Sequence, residues 1–247
     1  MHEEYIRKVD GSKKAVLMIH GIAGSPDHFG GFLPLIPDHW SIYSLLLPGH
    51  GGTVRDFGKS NMAAWREYAA QRLAELCQDH DTVCIVAHSM GTLFAIRGAL
   101  THPGKVRSLL LMNCPLRAKY PPSTMWLCLR NALGFQDPAA VAMRQATSIR
   151  LTPWLWQYIP WAPRFWELLG EIRQVRPLVT DLQTATVSFL SQKDELVRLS
   201  TGEILKKNPW VRSFTLENSG HYAYSPEDMA QMQKVFAQQL TDAEIPV

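Results

Sequence analysis

Apolar and polar positions along the chain fall into two alternating patterns. Short, nearly unbroken apolar runs rich in β-branched residues lie at 15–19, 42–47, 82–87, 106–112, 185–190 and 213–216. Between several of them the apolar residues recur at three- and four-residue steps. Segment 61–78 is the clearest case, with Met62, Trp65, Ala69, Leu73 and Leu76 on one stripe; 92–100, 203–207 and 227–240 follow the same rule. A strand that is apolar at successive positions has both faces buried, so the alternation predicts a mostly parallel central sheet flanked by helices.

One stretch breaks this rhythm. Residues 114–184 contain no convincing strand, and eight prolines (115, 121, 122, 138, 153, 160, 163 and 177) cut them into short pieces. Five of the chain's eight tryptophans fall there: Trp126, Trp154, Trp156, Trp161 and Trp166. A structureless loop of that length is improbable in a compact domain, so the pattern predicts a helical insertion. It starts where a strand ends, the edge at which open α/β sheets bind ligands. The expected division is a core of 1–113 and 185–247 with a helical cap at 114–184.

Composition narrows the class. With 247 residues, 46% hydrophobic and 19% charged, the chain has enough apolar mass for a large core. No apolar run approaches the ~18 residues of a membrane span. The N-terminal residues, from Met1 to Lys8, are too charged for the apolar part of a secretory signal. Cys77, Cys84, Cys114 and Cys128 show neither metal-ligand spacing nor a Cys-x-x-Cys pair, and read as isolated core thiols. A cytoplasmic protein is the expectation. The net charge of +3 comes with no basic cluster of nucleic-acid type, and that partner class is set aside.

Candidate chemistry sits at the ends of the predicted strands. Ser89 follows the strand 82–87 and precedes the helix 92–100, in Ala87-His88-Ser89-Met90-Gly91. A serine on so sharp a turn needs small neighbours two positions away on either side, and Ala87 and Gly91 supply them. The base is sought among nine histidines, of which His221 is the only one beyond His102. It lies in Asn218-Ser219-Gly220-His221-Tyr222, directly after the last strand. Ser191-Gln192-Lys193-Asp194-Glu195-Leu196-Val197 follows the preceding strand and offers two acids. Asp194 is preferred for its shorter side chain and earlier position; Asp181 and Asp228 are poorer rivals. The first long strand runs into His20-Gly21-Ile22-Ala23-Gly24-Ser25-Pro26, a glycine-bearing turn expected to start a helix and to aim the Ile22 N–H above Ser89. The N–H of Met90 is the expected second donor. His20, His50 and His88 read as loop braces.

These segments, with Leu47-Pro48-Gly49-His50-Gly51, resemble the α/β-hydrolase superfamily over nearly the whole chain, and within it the small bacterial carboxylesterases and monoacylglycerol lipases. The resemblance implies the order serine, acid, histidine, hence a triad of Ser89, Asp194 and His221, with Ile22 and Met90 forming the oxyanion hole. It also implies a helical cap after the sixth strand. Ala87 stands where the commonest elbow has glycine. The expected activity is cleavage of small-molecule esters with lipophilic acyl groups, with no metal or organic cofactor. Thioesterase, acyltransferase, aminopeptidase and carbon–carbon hydrolase activities use the same triad, and a non-catalytic ligand receptor uses the same fold. Trp126, Trp154, Trp156 and Trp161 are candidate acyl contacts, or else simply pack the cap. From Pro115 to Val179 eight basic residues face three acids, a balance compatible with peripheral contact with an anionic membrane. The oligomeric state is not encoded in any of these patterns.

Overall fold

The computed structural model describes residues 2–119 and 147–245, together with 130, 136 and 141 between them. A seven-stranded sheet forms its centre. The strands are β1 (Tyr5–Arg7), β2 (Lys14–Ile19), β3 (Ser41–Leu45), β4 (Thr82–His88), β5 (Val106–Met112), β6 (Ala185–Ser191) and β7 (Val211–Leu216). Their spatial order is β1-β3-β2-β4-β5-β6-β7, with β1 antiparallel at one edge and all other neighbours parallel. The described helices are α1 (Val54–Lys59), α2 (Met62–Asp79), α3 (Met90–Thr101), α4 (Ala162–Leu178), α5 (Thr201–Leu205) and α6 (Pro226–Glu244).

Alternation along the strands sends side chains to two cores, one on each face of the sheet. Leu17, Ile19, Ile85, Leu109 and Leu111 meet Trp65 and Leu73 of α2, Leu93 and Ile96 of α3, and Ile172 and Val175 of α4. Val16, Met18, Val86, Leu110 and Phe189 meet Phe29, Phe32 and Trp40, and Met232, Phe236 and Leu240 of α6. Burial on both faces explains why these strands lack the polar alternation of a half-exposed sheet. Glu171 adds a polar tie beneath α4: its buried carboxylate meets Arg66 of α2 at 2.8 Å and Arg97 of α3 at 2.5 Å.

Helix starts follow the local chemistry. Asn61 caps α2 by accepting from the Ala64 N–H, and Ser225 caps α6 by accepting from the Asp228 N–H. Thr53 and Asp56 form a reciprocal capping box that starts α1. Neither α1 nor β1 stands out in the hydrophobic pattern. Each is short, α1 contains a glycine, and β1 pairs through its backbone at an edge. Several boundaries also differ from the sequence expectation: the helix expected at 203–207 is Thr201–Leu205, and the strand expected at 213–216 starts at Val211. The strand expected at 42–47 ends at Leu45, and the helix expected after the His20–Pro26 turn is only a 3₁₀ turn, Pro26–Phe29. Pro26 opens that turn, and Gly30 and Gly31 directly after Phe29 favour no helical continuation.

Strand order reverses between β2 and β4. The crevice beyond the carboxyl ends of two such strands is where open α/β sheets place ligands. The turn after β2 begins with His20, and the turn after β4 holds Ser89. Among the described residues no helix is long and apolar enough to cross a membrane.

Candidate active site

Ser89 occupies the single residue between β4 and α3, with φ 50° and ψ −122°. This conformation is strained for a residue carrying a Cβ. Close packing around it explains the small neighbours. A Cβ on Gly91 would stand 2.2 Å from the Ile19 carbonyl oxygen, and one on Gly21 would stand 2.8 Å from Ser89 Cβ. Ala87 is fully buried in the sheet, paired with Ile19 on one side and Leu111 on the other. Its methyl group is accommodated there.

Three elements converge on the Ser89 hydroxyl. His221, in the loop after β7, places Nε2 at 3.1 Å from Ser89 Oγ. Its Nδ1 lies 2.8 Å from Asp194 Oδ2, in the loop after β6. The Nδ1–H donates to that carboxylate, so Nε2 is left to accept from the serine. Asp194 Oδ1 in turn accepts from the N–H groups of Leu196 and Val197, at 2.7 and 2.6 Å, which fixes the carboxylate plane. All three side chains are buried. The sequence candidates Ser89, Asp194 and His221 are thus brought into one hydrogen-bonded line.

The turn after β2 packs directly on the Ser89 elbow through Gly21. His20 and His50 brace it. His20 Nε2 accepts from the Leu47 N–H at 3.0 Å, so its Nδ1–H donates to the Gly21 carbonyl at 2.8 Å. His50 Nε2 accepts from the Ala23 N–H at 3.1 Å, and its Nδ1–H donates to the Leu47 carbonyl. Both rings are held neutral: burial pushes His20 down from 6.5 to about 4 and His50 well below its ordinary value. Among the described residues the N–H groups of Ile22 and Met90 donate to no backbone carbonyl in a turn or cap. Met90 is the first residue of α3, where an N–H has no partner within the helix.

Three residues hold the His221 loop: His88, expected from the sequence as a loop brace, and Glu195 and Asn113, which the sequence reading did not enlist. Glu195 Oε2 accepts from the His221 backbone N–H at 2.9 Å. His88 Nε2–H donates to the His221 carbonyl at 3.0 Å, and burial keeps the His88 ring neutral. Asn113, at the end of β5 with φ 51°, spans the two loops. Its Oδ1 accepts from the Ser191 N–H at 2.8 Å, and its Nδ2 donates to the Gly220 carbonyl and the Tyr224 hydroxyl at 3.3 and 3.2 Å. Asparagine tolerates this left-handed conformation better than most residues. Asp228, the rejected rival acid, accepts instead from the Ser219 hydroxyl and the Asn218 N–H.

The tryptophan candidates divide. Trp161 is fixed on α1, its Nε1–H donating to the Val54 carbonyl at 2.9 Å and its ring 4.5 Å from that of Phe57. Trp154 and Trp156 expose more than half of their surface and lie 4.9 Å apart, centroid to centroid. Trp126 and Cys128 lie outside the described residues. Cys77, Cys84 and Cys114 are buried free thiols, and burial raises the last two to about 11 and about 12.

This fold and site define a protein class, and comparison with known proteins agrees. A model of the α/β hydrolase family matches residues 16–237. The chain belongs to the α/β hydrolase family. Among curated relatives, a pimeloyl-[acyl-carrier protein] methyl ester esterase of Neisseria meningitidis serogroup B is 37% identical over 100 residues, 40% of this chain and 35% of that protein. Monoacylglycerol lipase abhd6-A of Xenopus laevis is 28% identical over 118 residues, 47% of this chain and 35% of that protein. The chain therefore spans about a third of the length of these curated relatives (35% of each). Among solved structures, one from work on LipS and LipT, two metagenome-derived lipolytic enzymes, superposes with a TM-score of 0.72 at 19% identity over 97% of both chains. The monoacylglycerol lipase of Paleococcus ferrophilus superposes with a TM-score of 0.70 at 16% identity, over 98% of this chain and 99% of the other. Identities this low bear on the fold alone.

Proposed function

We propose that the chain is a serine hydrolase cleaving carboxylic esters of lipophilic acyl groups through an acyl-enzyme. The observation that carries this reading is the line of hydrogen bonds from Ser89 Oγ through the His221 ring to Asp194, at a strained strand-to-helix turn. Both curated relatives described above are named for ester hydrolysis, which supports the ester class.

On this reading Ser89 Oγ attacks the ester carbonyl carbon while His221 Nε2 takes its proton. The oxyanion rests on the Ile22 and Met90 N–H groups, which among the described residues donate to no backbone carbonyl in a turn or cap. The protonated histidine then gives its proton to the departing alcohol. Water, deprotonated by the same nitrogen, attacks the acyl-enzyme, releases the acid and restores Ser89. Asp194 orients the ring and stabilises the imidazolium without taking the proton. These steps call for no metal or organic cofactor.

On the same reading the core comprises 1–113 and 185–247 and 114–184 is a helical cap, most of 120–146 lying outside the described residues. In support, the described residues 147–184 carry helices and 3₁₀ turns but no strand. Ser148 attaches this stretch to the proposed oxyanion turn, its N–H and Oγ–H donating to the Ala23 and Gly24 carbonyls. The acyl chain is directed toward the cap, with Trp126, Trp154, Trp156 and Trp161 as its proposed contacts. A cytoplasmic location completes the reading, supported by three buried free thiols.

The test is a comparison of kcat/KM on p-nitrophenyl esters of graded chain length, matched thioesters and aminoacyl amides. Esters are expected to lead, with rates rising with acyl length and vanishing in Ser89→Ala. Undiminished ester turnover by Ser89→Ala overturns the mechanism. A lead for thioesters or amides overturns the substrate class.

A further inference from the structure

A cavity of about 460 Å³, whose lining includes none of Ser89, Asp194 and His221, is bounded by three chain segments. Arg117 and Ala118, following β5, form one wall; Leu169, Ile172, Arg173 and Arg176 of α4 form a second; Arg198 and Ser200 form the third. All four arginines are exposed at its rim. Ile172 is buried beneath them and gives the cavity an apolar floor.

The arginines are brought together by two independent pairings. Ala118 and Val197 form an antiparallel bridge, and the Arg198 N–H donates to the Arg117 carbonyl at 2.8 Å. Arg117 and Arg198 are therefore directly opposite across two antiparallel segments, where like charges are destabilising. Arg173 and Arg176 stand three residues apart on one helix, a second like-charge neighbour pair. Neutralisation among the described residues is slight. Among the described residues only Glu203 meets any of the four, at 3.4 Å from Arg117 and with both side chains largely exposed. Arg173, Arg176 and Arg198 have no ion-pair partner among the described residues. Arg176 is nonetheless held in place, its Nε–H donating to the Leu116 carbonyl at 2.9 Å, which leaves both terminal nitrogens directed elsewhere.

Two repulsive pairs facing one cavity are relieved by an anion between them. Four guanidinium groups offer more donors than one carboxylate can accept, whereas a phosphate accepts through several oxygens in the paired geometry arginine provides. The cavity size falls in the range of small-ligand sites. We infer that this cavity is a binding site for a phosphate group, carried either by a soluble phosphate compound or by the headgroup of an anionic lipid. Trp166 lies about two helical turns before Arg173 on the same face of α4 and is 72% exposed, so an apolar group attached to the phosphate has a surface to follow. The site shares its wall with the acid loop: the Leu196 carbonyl accepts from the Lys119 N–H at 2.7 Å, and the Leu196 and Val197 N–H groups hold Asp194. Its occupation does not depend on the proposed esterase chemistry.

The experiment titrates the full chain with pyrophosphate at constant ionic strength, by calorimetry. In parallel, the chain is sedimented with phosphatidylglycerol vesicles and with phosphatidylcholine vesicles. Saturable binding of pyrophosphate without vesicle binding assigns a soluble phosphate compound. Sedimentation with phosphatidylglycerol but not phosphatidylcholine assigns a lipid headgroup. In either case Arg173→Gln with Arg198→Gln is expected to weaken binding by about tenfold or more, while circular dichroism and p-nitrophenyl acetate hydrolysis stay as in the parent. If the double variant does not fold, Arg173→Glu alone, at an exposed and unpaired position, is expected to give the same loss. The inference is overturned if neither probe binds, or if binding to a folded variant is undiminished.

Discussion

The backbone N–H of His221 donates to Glu195 Oε2 at 2.9 Å, while the adjacent Asp194 holds the ring of the same histidine at 2.8 Å. Two successive acids of one loop thus fix the backbone and the side chain of one residue. His88 secures the carbonyl of that residue from the other side. The ring is therefore aimed at Ser89 by anchors on two different elements, the loop after β6 and the end of β4.

Glu195 is accordingly predicted to be a positioning residue. Glu195→Ala leaves the His221 N–H without its acceptor, and a displacement of about 1 Å at the base costs on the order of 100-fold in rate. Ester kcat should fall by roughly 10- to 100-fold with KM little changed. Glu195→Gln keeps an acceptor oxygen and should restore most of the rate. Equal kinetics for the alanine variant and the parent would remove this role.

The proposed triad makes a sharper demand on its members. Ser89→Ala and Asp194→Asn should each lower kcat by about 10⁴-fold or more, for different reasons: one lacks the nucleophile, the other favours the wrong histidine tautomer. Because the residues act as a unit, the double variant should be scarcely worse than Ser89→Ala alone. Steady-state kinetics on a p-nitrophenyl ester reads all three. Losses that multiply independently would show that the two side chains do not cooperate.

The central strands and the order of Ser89, Asp194 and His221 were legible because burial on both sheet faces writes an unbroken apolar run. Each candidate also falls just past the end of such a run. What the pattern hid has the opposite character. β1 and α1 are short and depend on edge pairing and a capping box, neither of which needs apolar periodicity. Glu195 and Asn113 act through hydrogen bonds between loops far apart in sequence, such as Asn113 to Gly220. No local spacing announces a contact of that kind. Glu195 came nearest to notice, as the discarded alternative to Asp194.

Two glycines are predicted to be irreplaceable on steric grounds. The Cβ of Gly91→Ala would meet the Ile19 carbonyl oxygen at 2.2 Å, and that backbone is locked in the sheet between β3 and β4. The variant should lose cooperative folding or be strongly destabilised, as read by its denaturant midpoint. Gly21→Ala is a milder insult, since its Cβ would press on Ser89 Cβ at 2.8 Å and push the Ile22 turn away. It should remain folded but lose about 10²- to 10³-fold in kcat, the usual effect of losing one oxyanion donor. A folded Gly21→Ala variant of parental activity would refute the placement of the oxyanion site.

Stability should decline on mild acidification, well above the range where carboxylates titrate. Burial holds His20 near 4 and sets His50 and His88 well below 6.5, whereas in the unfolded chain all three regain the ordinary value. Between those limits the unfolded state binds more protons than the folded one, so unfolding free energy rises with pH. The contribution is complete above about 6.5 and is lost as pH falls toward about 4. His20 alone accounts for about 3 kcal/mol across that window, at 1.36 kcal/mol per pH unit. His50 and His88 add in the same direction. Glu244, held near 2 chiefly by Lys14, contributes in full above about 4.5 and begins to lose that contribution only below it, so the two effects separate on the pH axis. Denaturant midpoints at pH 7, 6 and 5 should fall steadily. His88→Gln, which keeps an N–H donor for the His221 carbonyl but does not titrate, should give a shallower slope. A midpoint unchanged from pH 7 to 5 would mean that these rings gain protons in the folded state as readily as in the unfolded chain.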